Sequence, residues 1–452
     1  MASTREAWSL TLPEATTILS TRIGADAVSG PAWLHERRST ALEHLGRLGF
    51  PTTRHEDWRL TNLEPVLKKT YHVAHNGENL TKERVGRLAI PGLDASFLVF
   101  VNGQYRPDLS DQAELPEGVQ VLTLPEALQG DAASIVEEHL AAHAEVTDDA
   151  FVALNTAAFD DVSVIVAKKN AHSERPIYLL HITSAPDEPV LTQPRTLIVA
   201  EANAGVTVLE DYVSLNDEEV YLTNAVTEII VRENAEVHHY FLERESRGGY
   251  NISTLRAIQA KDSRLRSHTA LFGGSIVRNN VLPKLDGDHC DSLLNGIYVA
   301  NGRQHMDNFM RVQHTHKHGD SRQFYKGILD DQAHGVFSGR IIVSKAAQKT
   351  DAKQSNQNLL MSEDARMNTK PQLEIYADDV KCTHGATVGQ LDDEAIFYLR
   401  SRGLSEEAAR GLLVYAFAGE SLDRMGLEPV REHLQKALIQ RLPKGDMLEH
   451  VL

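Results

Sequence analysis

The clearest candidate for chemistry is the segment 378–387, which holds one cysteine and one histidine. On an extended strand Cys382 and His384 are two residues apart, so their side chains point the same way. A thiolate beside an imidazole can hold a soft or borderline metal such as iron or zinc. Two ligands are too few for a closed site, so the remaining ligands would come from elsewhere, for example from another subunit. The alternative is a buried thiol next to a hydrogen-bonded histidine.

Two further groups of residues invite a metal interpretation. His314, His316 and His318 alternate and would share one face of an extended segment, where they could bind a metal. A solvated strand face is the simpler explanation, and we favour it. Cys290 follows an aspartate and a histidine and is expected to be a turn or core thiol, because free cysteine is often buried.

An alternation of amide side chains follows residue 350. Gln354, Asn356 and Asn358 would point to one side of a strand. In a stacked parallel structure such amides can form hydrogen-bonded ladders. This pattern indicates a role in stability, and it contains no acid–base pair suited to catalysis.

Composition excludes several classes of function. The 452 residues carry 46 lysines and arginines against 63 aspartates and glutamates, a net charge of −17, which disfavours nucleic-acid binding. Two cysteines form no disulfide framework and favour a reducing, cytoplasmic location. The sequence predicts neither a signal peptide nor a membrane span. Walker A and G-x-G-x-x-G loops do not occur, so any nucleotide energy would come from a partner.

The elements that must position these residues form a weak repeat. From about residue 150, short β-branched runs recur between Gly, Asn and Asp residues, without a long amphipathic helix. An Asn or Asp followed by a small residue recurs at spacings of 31, 28, 29, 29 and 31. Such a period is typical of a solenoid, and strand-rich rungs of this length predict a parallel β-helix with Asn or Asp corners. The markers are Asn203, Asn234, Asp262, Asp291, Asp320 and Asp351.

The same patterns predict three regions. Residues 1–150 read as mostly helical, 151–387 as the β-helix core, and 388–452 as a C-terminal helical region. In the first region, a helical stripe after Pro31 ends at Gly49. Short amphipathic helices at the end of a solenoid would serve as a cap or as a docking surface for a partner.

Longer stretches carry a resemblance to a known family. The chain resembles the SufB/SufD family of the SUF iron–sulfur cluster assembly system, and His384-Gly385-Ala386-Thr387 follows the pattern of the SufD branch. Near the N-terminus, Glu56, Trp58 and Thr61 are similar to the family's E-x-W-x-x-T signature. The matching stretches are RHEDWRLT at 54–61, GRQHMD at 302–307, YKGIL at 325–329, AQKTDA at 347–352, LEIYADDVKCTHGATVG at 373–389 and AIFYLRSRG at 395–403.

The resemblance implies a right-handed parallel β-helix between helical terminal regions, which agrees with the repeat. It also implies a complex in which the ATPase SufC docks on the C-terminal helices, at about 388–445, and SufB pairs through the β-helix end. The family's interface histidine matches His384, which would face a SufB cysteine where a nascent cluster forms. Cys382 lies in the same motif as a second metal-binding candidate.

The function implied by this resemblance is that of a scaffold. The chain would be a subunit without ATPase activity that contributes to iron acquisition and holds a transient iron–sulfur cluster jointly with SufB. In isolation it could pair with itself through the same surface, and flavin binding stays open. Two alternatives remain: a carbohydrate-active β-helix enzyme, such as a lyase, and a purely structural adaptor solenoid.

Overall fold

A computed structural model describes residues 9–25, 30–72, 80–112 and 114–442. The last ten positions of the predicted C-terminal region, 443–452, lie outside the described residues. Within the described ranges, no helix has both the length and the hydropathy needed to cross a bilayer.

Two long sheets form the body of the molecule. Sheet A contains β1 (Ser9–Thr11), β2 (Thr70–His72), β5 (Val119–Leu122), β6 (Val162–Ala167), β8 (Val190–Thr192), β9 (Arg195–Ala200), β11 (Tyr221–Val231), β13 (Tyr250–Gln259), β15 (Ile276–Leu285), β17 (His305–His314), β19 (His334–Val343) and β21 (Arg366–Ile375). Sheet B contains β3 (Ser96–Val101), β4 (Gln104–Tyr105), β7 (Ile177–Thr183), β10 (Gly205–Ser214), β12 (Glu236–Arg244), β14 (Arg264–Leu271), β16 (Asp291–Ala300), β18 (Asp320–Leu329), β20 (Asp351–Leu360) and β22 (Lys381–Gly389).

The chain alternates between the two sheets and builds a parallel β-solenoid of about eight turns, as the sequence predicts. From β10 onward, each coil gives one strand to sheet B and the next to sheet A, and successive coils pair in parallel. The register step between coils ranges from 26 residues (Tyr250 to Ile276) to 32 (His334 to Arg366). Apolar side chains of both sheets fill the interior between them.

One row of corners carries left-handed backbone. Asn203, Asn234 and Asp262 have φ near +55°, as expected for Asn and Asp. The side chains of the first two continue a ladder, since Asn234 Nδ2 donates to Asn203 Oδ1 at 2.9 Å. The corner prediction is wrong for the last three markers. Asp291, Asp320 and Asp351 are the first residues of strands and lie two residues after the corners. The left-handed positions there are His289, His318 and Lys349.

Ring stacking explains why histidines occupy two of these corners. The imidazole rings of His289 and His318 stack with centroids 4.7 Å apart, which matches the spacing of neighbouring coils. Two coils therefore replace the Asn ladder with an aromatic stack. Asn and Asp are the residues expected at left-handed corners. The sequence pattern therefore assigned each of these corners to the nearest aspartate, two residues after the true position.

The N-terminal region lies against one end and the outer face of sheet A. Its helices are α1 (Ala15–Ala25), α2 (Ala32–Leu48), α3 (Glu64–Leu67), α4 (Lys82–Leu88), α5 (Leu124–Gln129), α6 (Ala133–His139) and α7 (Ala150–Ala158). Helix α2 ends at Gly49 with φ +62°, as predicted. Helix α7 was not expected where strands were predicted to begin. It is buried along nearly its whole length, and Asp149 caps it by accepting from the amides of Phe151 and Val152.

A buried ion pair ties this region to the solenoid. Arg195 on β9 donates to Glu228 on β11 at 2.5 Å, and both side chains are fully buried. Glu228 also accepts from the backbone amides of Ala141, His143 and Ala144 at 2.7–2.9 Å. The carboxylate therefore fixes the loop after α6 onto the sheet. Breaking one partner of such a pair costs about 3–5 kcal/mol.

Three helices, α8 (Asp393–Ser401), α9 (Glu406–Leu422) and α10 (Glu428–Ile439), follow the last coil. Ser405 caps α9 as predicted, accepting from the amide of Ala408. Helix α9 runs back along the outer face of sheet B, where Asn295 donates to the Ser421 carbonyl at 2.9 Å. Lys326 donates to the Phe417 carbonyl at 2.9 Å. Within the described chain, these helices cover the side of the solenoid and not its last coil.

The carboxyl groups of Glu243 and Glu245 are buried near the end of β12, and neither forms a salt bridge among the described residues. Glu243 accepts from the backbone amides of Glu245 and Gly273, each at 3.0 Å. Glu245 accepts from the Thr223 hydroxyl at 2.6 Å and the Asn251 amide at 2.7 Å. Burial raises the pKa of Glu243 to about 7 and that of Glu245 to about 8, the latter with help from its neighbour's charge.

These groups predict a stability that falls as the pH rises. Their folded-state pKa values exceed the ordinary value of 4.5, so the folded chain binds extra protons between about pH 4.5 and 8. The stability is therefore full at the acidic end of this window and is lost as the pH rises through the folded pKa values. Measured as the difference between wild type and Glu245→Gln in urea unfolding at pH 6 and pH 8.5, the contribution of Glu245 to the free energy of unfolding should fall by an amount on the order of 2 kcal/mol.

The matched variants are Glu245→Gln, which should flatten this pH dependence, and Glu218→Gln, an exposed neighbour that should not. A Glu245→Gln chain as pH-sensitive as the wild type would contradict the assignment.

Candidate functional site

The candidate site lies on the last coil of the solenoid. Strand β22 is the end strand of sheet B and pairs with β20 alone among the described strands. Cys382 continues the column of Ala352, and His384 continues the column of Gln354. Both side chains therefore point to the interior side of the coil, as the spacing predicts. Because no further coil lies over β22 in the described chain, this interior side is open at His384.

The two candidate ligands have different surroundings. His384 is exposed. Cys382 is half-buried and packs at the edge of a small apolar cluster with Ile341, Val343 and Ala352. Burial raises the pKa of the Cys382 thiol above its usual range. The imidazole is thus freely presented, whereas the thiol is partly enclosed and less readily ionised.

The rest of the described chain does not complete a metal site. Among the described residues, no group of three or more His, Cys, Asp or Glu side chains has the spacing to hold a metal ion. Cys382 and His384 by themselves offer two ligands, which is fewer than a closed metal site needs.

The second cysteine has a structural role. Cys290 is buried, and its thiol donates to the carbonyls of Ala260 and Gly287 at 3.1 Å. Burial raises the pKa of this thiol to about 11, so it carries almost no thiolate at neutral pH. The expectation of a core thiol is confirmed.

The histidine alternation does not form a ladder. His314 is the last residue of β17 and is buried, with its Nε2 2.9 Å from Ser321 Oγ. His316 lies in the following turn, and His318 occupies a left-handed corner. The strand ends at His314, so the three rings do not share a face. The solvated-face interpretation is wrong for His314, which lies inside the solenoid.

The amide alternation is confirmed as an interior feature. Gln354, Asn356 and Asn358 are buried on the inner face of β20. Asn358 Nδ2 donates to Asn356 Oδ1 at 2.7 Å, and Asn358 Oδ1 accepts from the Tyr298 hydroxyl. Gln354 Nε2 donates to Gln323 Oε1, one coil earlier, at 2.7 Å. These amides form a polar layer directly beneath the terminal coil.

The N-terminal signature anchors its segment to sheet A. The Trp58 ring lies under the Arg278 guanidinium, with the central carbon 4.4 Å from the ring centroid. The Thr61 hydroxyl lies 2.9 Å from His305 Nε2 and also donates to the Asp307 carboxylate. Glu56 pairs with Lys370 on β21 at 2.9 Å. The resemblance found these residues, but only the structure shows that they act as a strap across the coils.

Beside this strap lies a cleft of about 900 Å³. Each of the three acids that line it is paired with a base: Asp307 with Arg278, Asp57 with Arg340 at 3.6 Å, and Glu56 with Lys370. The charged groups of the cleft therefore fit an anchoring role.

Exposed apolar side chains mark two surfaces that sequence patterns did not reveal. Ile375, Tyr376 and Val388 lie on or beside the last coil, and Tyr376 is 62% exposed. Phe397 and Tyr398 project from α8, and Phe397 is 74% exposed. Large contiguous apolar patches mark sites of contact with other molecules, whereas single exposed apolar side chains are common on protein surfaces. Because strands and helices also bury such residues routinely, composition gives no signal of their exposure.

Together these features define a class: a β-solenoid protein whose open last coil carries an imidazole, a thiol and apolar side chains. Family models identify it more closely. Residues 181–417 match the core domain of SufBD proteins of the SUF iron–sulfur cluster assembly system, and residues 27–179 match the SufBD N-terminal region.

Individual relatives agree over nearly the whole chain. A SufBD family protein of Synechocystis is 37% identical over 90% of both chains. The iron–sulfur cluster assembly protein SufD of Escherichia coli is 36% identical over 89% of this chain and 92% of its own. That of Bacillus subtilis is 26% identical over 91% and 94%. The chain belongs to the SufBD family of iron–sulfur cluster assembly proteins and is of the SufD type.

The two thiols should differ in reactivity. At neutral pH a maleimide should label one cysteine per native chain, Cys382, because Cys290 is buried and its pKa is about 11. Intact-mass measurement should show one adduct on the native wild type, none on native Cys382→Ser, and two on the unfolded wild type. Preferential labelling of Cys290 would contradict the placement of both thiols.

Proposed function

We propose that the chain is a scaffold subunit of a SufB–SufC–SufD complex, without ATPase activity of its own. It would contribute to iron acquisition and to the assembly of nascent clusters at its contact with SufB. The observation that carries this proposal is the open last coil, where His384 is exposed on an end strand that pairs on one side only among the described strands. Family membership supports a role in iron–sulfur cluster assembly. The open last coil is the surface that we propose for the contact with SufB.

The terminal coil suits a partner of the same fold. The free edge of β22 offers unpaired backbone donors and acceptors, which a strand of another chain can satisfy. Ile375, Tyr376 and Val388 add apolar area that such a partner would cover. SufB, which shares the family, is the partner we propose. In its absence a second copy of this chain would use the same surface.

The iron–sulfur cluster is cargo held jointly across this contact. His384 would supply one imidazole ligand, and a SufB cysteine would supply thiolate. Cys382 lies on the same face, but its partial burial and raised pKa make it the weaker candidate. A site divided between two chains and containing a histidine suits a cluster that must later be released.

Helix α8 supplies a second contact, which we propose for the ATPase SufC. Phe397 and Tyr398 project from it, and Arg402 lies over the Tyr398 ring at 5.2 Å from its centroid. This surface lies beyond β22 in the chain, in the helical region predicted at 388–452. The division of the chain into the regions 1–150, 151–387 and 388–452 is also part of the proposal. The reducing cytoplasm would suit both free thiols.

The first prediction is that His384→Ala impairs cluster assembly while leaving the complex intact. Removing one exposed imidazole takes away a ligand and little packing. We expect anaerobic reconstitution of the co-expressed complex to yield roughly tenfold less cluster absorbance than the wild type. Co-purification of all three subunits should be unchanged.

The matched control is His316→Ala, since that imidazole is half-exposed but lies away from the last coil. Wild-type cluster absorbance in His384→Ala would favour the adaptor solenoid instead. A loss of subunits from the His384→Ala complex would show that this histidine acts through assembly of the complex.

A pair of charge substitutions should separate the two contacts. Tyr376→Asp places a charge on the last coil and should weaken SufB binding, whereas Phe397→Asp should weaken SufC binding. Each should cost about 2 kcal/mol, or roughly 30-fold in Kd, as expected for buried aromatic anchors. Pairwise binding measurements with purified partners would test this.

Each variant serves as the control for the other, because both replace an exposed aromatic residue by aspartate. Equal loss of both partners in either variant would contradict the assignment of separate surfaces.

A further inference from the structure

One interior column of the solenoid ends at the candidate ligand. In sheet B, Leu294, Gln323, Gln354 and His384 occupy the same register position on β16, β18, β20 and β22. Residues paired in register on neighbouring parallel strands point to the same face. The Gln354 amide is therefore the side chain directly beneath His384.

The position of this amide is fixed from two sides. Gln354 Nε2 donates to Gln323 Oε1 at 2.7 Å, which sets the direction of the amide along the column. Across the interior, Gly339 on β19 leaves room for it, since a Cβ at that position would lie only 2.2 Å from Nε2. Gln354 is only 3% exposed. Its side chain thus has one well-defined arrangement.

The other end of the amide is unsatisfied. Gln354 Oε1 is buried and has no hydrogen-bond partner among the described residues. Buried carbonyl oxygens are nearly always paired, so an unpaired one needs an explanation. The next side chain in the column is an imidazole, which in its neutral form carries one N–H donor and one acceptor nitrogen.

We propose that Gln354 is a positioning residue for His384. Its Oε1 accepts the ring N–H of His384, which selects one tautomer and holds the ring so that the other nitrogen, with its lone pair, faces out from the last coil. Ligating histidines commonly use such a contact to a carbonyl or carboxylate to fix ring orientation. This inference rests on the proposed ligand role of His384 and adds the residue that orients it.

Three substitutions test it. Gln354→Met removes the acceptor at similar volume. Gln354→Glu keeps an oxygen directed towards His384. The second carboxylate oxygen can accept from Gln323 if that amide turns, because Gln323 Nε2 lacks an acceptor among the described residues. Gln357→Met is the matched control, because Gln357 lies on the same strand with its side chain on the outer face.

The measurement is proton–nitrogen NMR on the full chain labelled with ¹⁵N-histidine. The His384 signals are assigned by their absence in His384→Gln. A ring N–H held by a buried oxygen exchanges slowly with water and gives an observable proton signal. We expect this signal in the wild type, in Gln357→Met and in Gln354→Glu, and its loss in Gln354→Met. A purely structural role for Gln354 would leave it unchanged.

The outcomes separate this inference from the proposed function, because the NMR experiment needs no cluster. Absence of the protected N–H in the wild type, or its persistence in Gln354→Met, would overturn the positioning role and leave the ligand role standing. Loss of the signal in Gln354→Met, combined with normal cluster assembly by His384→Ala, would instead overturn the ligand role.

Discussion

The pairing of each coil with the next is the interaction on which the whole molecule depends. From β10 to β20 every strand forms parallel backbone hydrogen bonds with a strand one coil earlier and a strand one coil later. This rule fixes the register, stacks the corners and lines up side chains in columns through the interior. It also has an end, because β22 has a neighbour on one side only within the described chain. A solenoid that stops leaves a strand edge and an open interior.

At that open end the interior columns become accessible to solvent. Deeper in the solenoid the same interior positions hold buried residues such as Gln323 and Gln354, paired amide to amide. At the last coil the position holds His384, which is exposed because nothing in the described chain lies over it. Cys382, one step along the strand, is still partly enclosed by apolar side chains. Two residues that share one face of the same strand therefore differ in accessibility, and burial raises the pKa of the Cys382 thiol.

The flanking regions protect the sides of the solenoid and leave this end free. The strap around Trp58 and Thr61 is pinned to the outer face of sheet A by Arg278 and Asp307. Helix α9 lies along the outer face of sheet B. Their contacts stabilise the body, and within the described chain the last coil stays uncovered.

A good part of the fold could be predicted from the sequence. Strong local signals were sufficient, namely the repeat of about 30 residues, the helix that ends at Gly49 and the cap at Ser405. The resemblance supplied the family, which the family models and relatives confirm. For the site, the alternation of Cys382 and His384 was enough to place both side chains on one face.

The sequence by itself thus determined the period of the repeat and which side chains share a strand face, because both depend on residues close together in the chain. Tertiary structure decided the rest. The corners at His289 and His318 rely on rings from separate coils that stack on each other. The exposure of Tyr376, and the different enclosure of Cys382 and His384, depend on which distant segments cover each residue. No local pattern records that, since coverage is set by where the chain returns in space.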